Sequence, residues 1–320
     1  LQGEKIMPFI VLVAVFLLGG LAAAFGGRAM VRRIQSGPDR YTVEQLSREL
    51  TGEEAIIQRE DGTRLWTISA GSGPTVVFVH GYGYWAGEWN VIWEKLLAAG
   101  YRLIAFDQRG HGKSTIGGDG LGSKQMAGDY KAILEHYDVR DAVLVGHSMG
   151  TFLSIVFLLT YPEIARERLK GVVLIAPFAG NVFKGSLQNQ MQVPMIRYGI
   201  MDRMLKSETL GTLLFGTTLF GDEVSPSALK AFLKGFAAQR HKQLVPILLA
   251  FGHEDYYARV GEISLPVVLM CGRKDRTTPV WHAERLGREI PNARNIWLDG
   301  KGHLLNWEAP DTVIETIQAI

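Results

Sequence analysis

Three residues in this chain stand where acyl-transfer chemistry needs them. Ser148 lies in Gly146-His147-Ser148-Met149-Gly150, a G-x-S-x-G pattern in which a serine sits on a sharp turn between a buried strand and a helix. The flanking glycines have no Cβ, so such a turn can be tight and strained. A serine hydroxyl is a weak nucleophile at its free pKa and needs an adjacent base. A histidine oriented by a buried carboxylate meets that need, and on a turn of this kind the chain order is serine, then acid, then histidine. His241, His253, His282 and His303 follow Ser148. His303, in Gly300-Lys301-Gly302-His303, comes just past an apolar run ending at Leu298, on a loop that glycines let bend back. It is the expected base. Asp275 follows the apolar run ending at Cys271 and is the expected acid. Asp299 is its rival, placed where it would crowd the imidazole, and Asp255 is a more distant one. A surface ion pair with Arg273 or Arg276 is the plain alternative role for Asp275. His80, which precedes Ser148, is the alternative base.

A tetrahedral oxyanion needs preorganised backbone N–H donors. Met149, at the start of the helix after the nucleophile, is one expected donor, because free amides and the helix dipole favour negative charge there. Tyr82, in the loop His80-Gly81-Tyr82-Gly83, is the other.

These loops require strands to carry them. Thr75–Val79, Arg102–Phe106, Asp141–Val145, Gly171–Ala176, Pro266–Cys271 and Asn295–Leu298 are short apolar runs. Helical stretches at Trp89–Ala99, Ser123–Tyr137 and Thr151–Leu159 separate them. Strands alternating with helices predict an α/β fold, a mostly parallel central sheet with helices on both faces. Ahead of it, Thr42 opens a short helix to about Leu50 through a capping box. Asp61-Gly62 marks a hairpin between Ala55–Glu60 and Arg64–Ala70. The alternation breaks after Ala176, where a helical, methionine- and phenylalanine-rich insertion reads as a cap over the carboxyl ends of the strands. Methionines suit an adaptable apolar pocket and equally suit core packing. The expected organisation is a membrane helix at 7–27, a linker at 28–40, the first part of the core at 41–177, the helical cap at 178–245 and the rest of the core at 246–320.

The motifs HGYG at 80–83, DQRGHGKS at 107–114, GHSMG at 146–150, GRKDRTTP at 272–279 and GKGH at 300–303 together resemble the α/β-hydrolase superfamily over about Glu54 to Ile320. The chain looks most like serine carboxylesterases and monoacylglycerol-lipase-like members, some of which carry an N-terminal membrane helix. The resemblance implies a Ser148, Asp275, His303 triad and assigns Asp107 and Arg109 to holding the loop after the fourth strand. Epoxide hydrolases and haloalkane dehalogenases of this fold place aspartate where Ser148 stands, which argues against both. Cofactor-free haloperoxidases or perhydrolases and C–C bond hydrolases keep the serine and stay open, as does a non-catalytic membrane protein using the fold as a ligand pocket.

Composition narrows the remaining classes. A net charge of +2 is too small to suggest nucleic acid. The lone Cys271 excludes a disulfide framework. No H-E-x-x-H or clustered His/Asp set supports a metal, and Asp107 stands where a P-loop ahead of Gly112-Lys113-Ser114 would need its first glycine. No cofactor is expected. Met7–Gly27 is uncharged and long enough to span a bilayer, with a cleaved signal peptide as the alternative. As a single-pass anchor followed by Arg28, Arg32 and Arg33, it would leave the catalytic part in the cytoplasm. The expected function is hydrolysis of carboxylic esters, lipophilic ones in particular, by a membrane-anchored serine enzyme.

Overall fold

A computed structural model describes residues 26–320. Residues 26–35 are helical (α1), followed by α2 (Val43–Leu46), β1 (Glu53–Gln58), β2 (Arg64–Ala70) and β3 (Thr75–Val79). A 3-10 turn at Ala86–Trp89 leads into α3 (Asn90–Ala98), β4 (Arg102–Phe106), α4 (Ser123–His136), β5 (Ala142–His147), α5 (Met149–Thr160), α6 (Pro162–Arg168) and β6 (Leu169–Ile175). Five helices then intervene: α7 (Leu187–Arg197), α8 (Ile200–Lys206), α9 (Glu208–Gly216), α10 (Pro226–Ala237) and α11 (Val245–His253). The chain closes with β7 (Val267–Gly272), α12 (Trp281–Glu289), β8 (Ala293–Leu298), α13 (Leu305–Glu308) and α14 (Pro310–Gln318).

The eight strands form one sheet in the order β1-β2-β4-β3-β5-β6-β7-β8. β1 and β2 pair antiparallel with each other, and β2 pairs antiparallel with β4. All pairs from β4 through β8 are parallel. Alternate side chains of a strand point to opposite faces. Val77 and Val79 of β3 accordingly join the cluster packed under α4 and α5, while Val76 and Phe78 join the one under α3 and α14. Both faces are covered, which is why the central strands are apolar throughout. Strand order reverses at β3, which has β4 on one side and β5 on the other. Open α/β sheets bind ligands at the carboxyl ends of the strands beside such a reversal. The loop at 80–83 and Ser148 leave the sheet there.

The structure departs from the sequence reading in three places. The helix opened by Thr42 ends at Leu46 rather than near Leu50. Asn90 Nδ2 donates to the carbonyls of Gln45 and Arg48, so the last carbonyls are satisfied by α3 and no further turn is needed. The capping box itself is present. Residues 28–35 of the expected linker belong to a helix that buries Val31 and Ile34. The Ile34 side chain lies against α9 and α10, as a methyl group built on Gly216 would meet Ile34 Cδ1 at 3.0 Å and Leu229 Cδ2 at 3.2 Å. After α1 the Asp39 carboxylate caps α10, accepting from Ser225 Oγ at 2.5 Å, Ser227 N at 3.0 Å and Ser227 Oγ at 2.8 Å. Finally, α11 runs past the boundary drawn at Val245. The proposed membrane span at 7–27 lies, except for its last two residues, outside the described residues. Among the described residues no helix is long and apolar enough to cross a membrane.

Candidate active site

The turn after β5 places Ser148 in a conformation that side chains rarely adopt, with φ 52° and ψ −117°. Strain of this kind persists only where surroundings over-determine it. Here Ser148 N–H donates to the Ile175 carbonyl at 3.0 Å, and Thr151 Oγ1 donates to the Ser148 carbonyl at 2.7 Å. Gly150 is required by proximity: a Cβ there would lie 2.6 Å from the Val79 carbonyl oxygen. The helix can therefore start directly against β3, with its amino end beside the loop at 80–83. Among the described residues no acceptor takes the Tyr82 or the Met149 amide hydrogen.

Two other loops converge on the serine. Asp275 and His303, both buried, meet through His303 Nδ1, which donates to Asp275 Oδ2 at 2.8 Å. Their loops can approach because β7 ends in Gly272, whose Cβ would lie 2.2 Å from the Gly302 carbonyl oxygen. The remaining acceptor sites of Asp275 are filled. Oδ1 accepts from Thr277 N at 2.8 Å and Thr278 N at 2.9 Å, and Oδ2 from Thr278 Oγ1 at 2.7 Å. Burial acts to raise the Asp275 pKa, but His303 and these donors outweigh it and hold the carboxyl below its ordinary range. Asp275 is thus ionised, and in the neutral imidazole a proton donated from Nδ1 to that carboxylate leaves Nε2 as the free acceptor. Among the described residues no hydrogen bond joins Ser148 Oγ to His303, a common condition of ligand-free sites whose contacts tighten around substrate.

Ser148, His303, Tyr82 and Thr278 line one cavity. Much of its wall comes from the helical insertion and is apolar, including Met195, Met201, Phe215, Phe232, Phe236 and Phe251. Gln188, Asn189 and Gln192 of α7 are the polar exceptions from that insertion.

The rival residues lie in structural roles. Asp299 is exposed and pairs with Arg273 at 2.8 Å. Asp255 accepts from Asn181 Nδ2 and Tyr257 N. His80 Nε2 accepts from Gln108 N at 2.9 Å, which fixes the loop rather than offering a base. His241 Nε2 binds the Phe236 carbonyl, and His282 stacks on Trp281. Asp107 accepts from Ala86 N and Lys113 N, and Arg109 pairs with Asp129 and Asp61, so both hold the loop after β4. Cys271 is buried, and burial raises its thiol pKa, which leaves it unreactive. Among the described residues no group of three or more His, Cys, Asp or Glu is arranged to hold a metal ion.

Several residues at the site had no signal in the sequence. Thr278 is a polar residue beside the acid within the 272–279 motif, Glu88 is a single polar residue in an unremarked loop, and His147 occupies a free position of the serine motif. Glu308 is another. It is half-buried and accepts from Gly221 N at 2.9 Å and Gly302 N at 3.0 Å, which fixes the backbone just before His303. Burial dominates and raises its pKa from 4.5 to about 7. The folded chain therefore holds a proton that the unfolded chain releases, and stability falls as pH rises between those two values. Above that window the penalty is on the order of 3 kcal/mol. Glu308→Gln is expected to remove this dependence. Its melting temperature should exceed that of the wild type near pH 8 and converge with it near pH 5; parallel melting curves at both values would refute this.

A family model described as "Alpha/beta hydrolase family" matches residues 76–316. The chain belongs to that family. It is 28% identical over 262 residues to the non-heme chloroperoxidase CPO-A1 of Kitasatospora aureofaciens, covering 78% of this chain and 91% of that one. It is 29% identical over 290 residues to the 2-hydroxy-6-oxo-6-phenylhexa-2,4-dienoate hydrolase of Burkholderia cepacia, covering 83% and 95% respectively. Among solved structures, an esterase from Exiguobacterium antarcticum superposes with a TM-score of 0.74 at 24% identity, covering 84% of this chain and 98% of the other. A bromoperoxidase from Bacillus anthracis gives 0.70 at 22% identity, with 83% and 99% covered. These structural likenesses concern the fold. The protein is a hydrolase of the α/β fold with esterase, haloperoxidase and C–C hydrolase relatives.

Proposed function

We propose that this protein is a serine hydrolase that cleaves carboxylic esters with apolar acyl groups. The observation that carries the reading is the buried Asp275–His303 hydrogen bond on the same cavity as Ser148. In the proposed reaction Ser148 Oγ attacks the ester carbonyl while His303 Nε2 takes its proton. Asp275 holds the histidine tautomer and stabilises the imidazolium. The Tyr82 and Met149 amides bind the oxyanion that develops. His303 then protonates the leaving alcohol. A water molecule, deprotonated by His303, attacks the acyl-enzyme and frees the acid and Ser148.

The apolar wall supplied by the insertion supports a lipophilic acyl group, since such a wall removes chain carbons from water at about 0.8 kcal/mol per methylene. The same reading assigns 7–27 to a bilayer anchor, with the catalytic part on the cytoplasmic side. The chloroperoxidase and dienoate hydrolase relatives favour a second reading on the same residues, peracid formation or C–C cleavage. One panel tests both: purified protein assayed on nitrophenyl esters from acetate to palmitate, on a dienoate ring-fission product, and for peracid formation. The expected result is kcat/KM rising with acyl length to at least the octanoate. Preference for acetate would overturn the lipophilic assignment, and faster dienoate cleavage or peracid formation would overturn the ester assignment.

A further inference from the structure

Behind the nucleophile sits a buried acid–base pair that the proposed reaction does not use. Glu88, in the 3-10 turn before α3, and His147, next to Ser148, are both buried. Glu88 Oε1 accepts from Gly81 N at 3.0 Å, and its carboxylate lies 3.3 Å from His147 Nδ1. His147 Nε2 lies 3.1 Å from the carbonyl oxygen of His303. Asn306 Nδ2 donates to the Glu88 carbonyl at 2.9 Å. A carbonyl oxygen only accepts, and an ionised carboxylate only accepts. His147 faces an acceptor on each side, an arrangement that a ring protonated on both nitrogens satisfies. Burial opposes that charge, but Glu88 outweighs it, with help from the His303 carbonyl and Asp275, and the His147 pKa lies above its ordinary value.

A buried ion pair is a weak device for stability, since desolvation offsets most of its attraction. What this one does is geometric. It joins three segments that come from distant parts of the chain: the loop at 80–83, the serine turn, and the loop carrying His303. Gly81 N–H is held by Glu88, and the next amide, that of Tyr82, has no acceptor among the described residues. The His303 carbonyl is pinned at the residue whose ring must reach Ser148.

We propose that Glu88 and His147 are positioning residues of the hydrolytic site, a carboxylate–imidazolium bridge that sets the Tyr82 amide and the His303 ring against Ser148. The inference rests on the Ser148–His303 reading of the site. Misplacing reacting groups by about 1 Å, or losing one oxyanion donor, lowers rates by about 10²-fold. Glu88→Ala is accordingly expected to lower kcat about 10²-fold with KM changed by less than about 3-fold, and to slow labelling by a fluorophosphonate to the same degree. His147→Ala, which frees the His303 carbonyl, is expected to lower kcat by roughly 10-fold or more. Glu88→Gln is the conservative partner. Its amide oxygen can hold Gly81 N–H while its NH2 donates to Nδ1 of a neutral His147 that still donates from Nε2. It is expected to keep more than about a tenth of wild-type kcat.

All three variants are to be made in the full chain, with circular dichroism and melting curves as controls for folding. Nitrogen-15 resonances of histidine-labelled protein give an independent readout. At neutral pH His147 should show two protonated nitrogens in the wild type and only Nε2–H in Glu88→Gln. Wild-type kcat in a folded Glu88→Ala or His147→Ala would overturn the proposal, as would Glu88→Gln losing as much activity as Glu88→Ala. If neither alanine variant folds, a neutral His147 in the wild type would overturn it. Ser148→Ala separates the two levels: an active Ser148→Ala refutes the hydrolase reading itself, whereas an inactive one beside unimpaired Glu88 variants refutes only the bridge.

Discussion

Ser148→Ala is expected to lower kcat for ester hydrolysis by about 10⁶-fold, the loss seen when one member of a nucleophile–base unit is removed. The residual rate would come from the oxyanion donors and substrate binding, neither of which the substitution touches. The variant should fold. The Ser148 Oγ makes no hydrogen bond among the described residues, and the elbow is held by the Ser148 backbone N–H and carbonyl, which alanine keeps. Its melting temperature is expected to stay within a few degrees of wild type. Covalent labelling by a fluorophosphonate should vanish with the activity. A folded Ser148→Ala that retained esterase turnover would end the assignment.

Asp275→Asn should come second, with kcat lowered by about 10⁴-fold and substrate binding little changed. The reasoning runs through the proton on His303. In the wild type, Oδ2 of an ionised Asp275 accepts from Nδ1, which leaves Nε2 as the acceptor for the serine proton. In the variant, the asparagine carbonyl oxygen remains on Thr277 N and Thr278 N, which occupy the Oδ1 position. Its NH2 group then faces Nδ1 and donates, so the imidazole shifts its proton to Nε2 and can no longer act as base. The imidazolium that forms in the transition state also loses its counter-charge. An Asp275→Asn protein within about 10-fold of wild-type kcat would show that the acid lies elsewhere, with Asp299 the first residue to test next.

Much of this arrangement was legible in the chain. The sheet strands could be read because those buried on both faces are continuous apolar runs, and the three site loops because each follows the end of such a run. Ser148, Asp275 and His303 stand in order on those loops, and the structure brings Asp275 and His303 into contact. The helical insertion was visible as a break in alternation, but its end was not, because the apolar α11 runs on without a composition change. The character of 28–35 was hidden for another reason. Arg28, Arg32 and Arg33 look like a solvated linker, and only the tertiary partner, Gly216 beside Ile34, makes that stretch a packed helix. Glu88 and His147 were illegible because their meaning is wholly non-local. Neither spacing nor periodicity joins residue 81 to 88, 147 and 303.

The seam between α1 and the insertion ties the N-terminal end of the described chain to the roof of the cavity. Ile34 beds into α9 and α10, and Asp39 ties the start of α10. Only beyond that seam does the chain enter the sheet, at Glu53. Whatever grips the chain upstream of residue 26 therefore grips the roof of the cavity before it grips the floor.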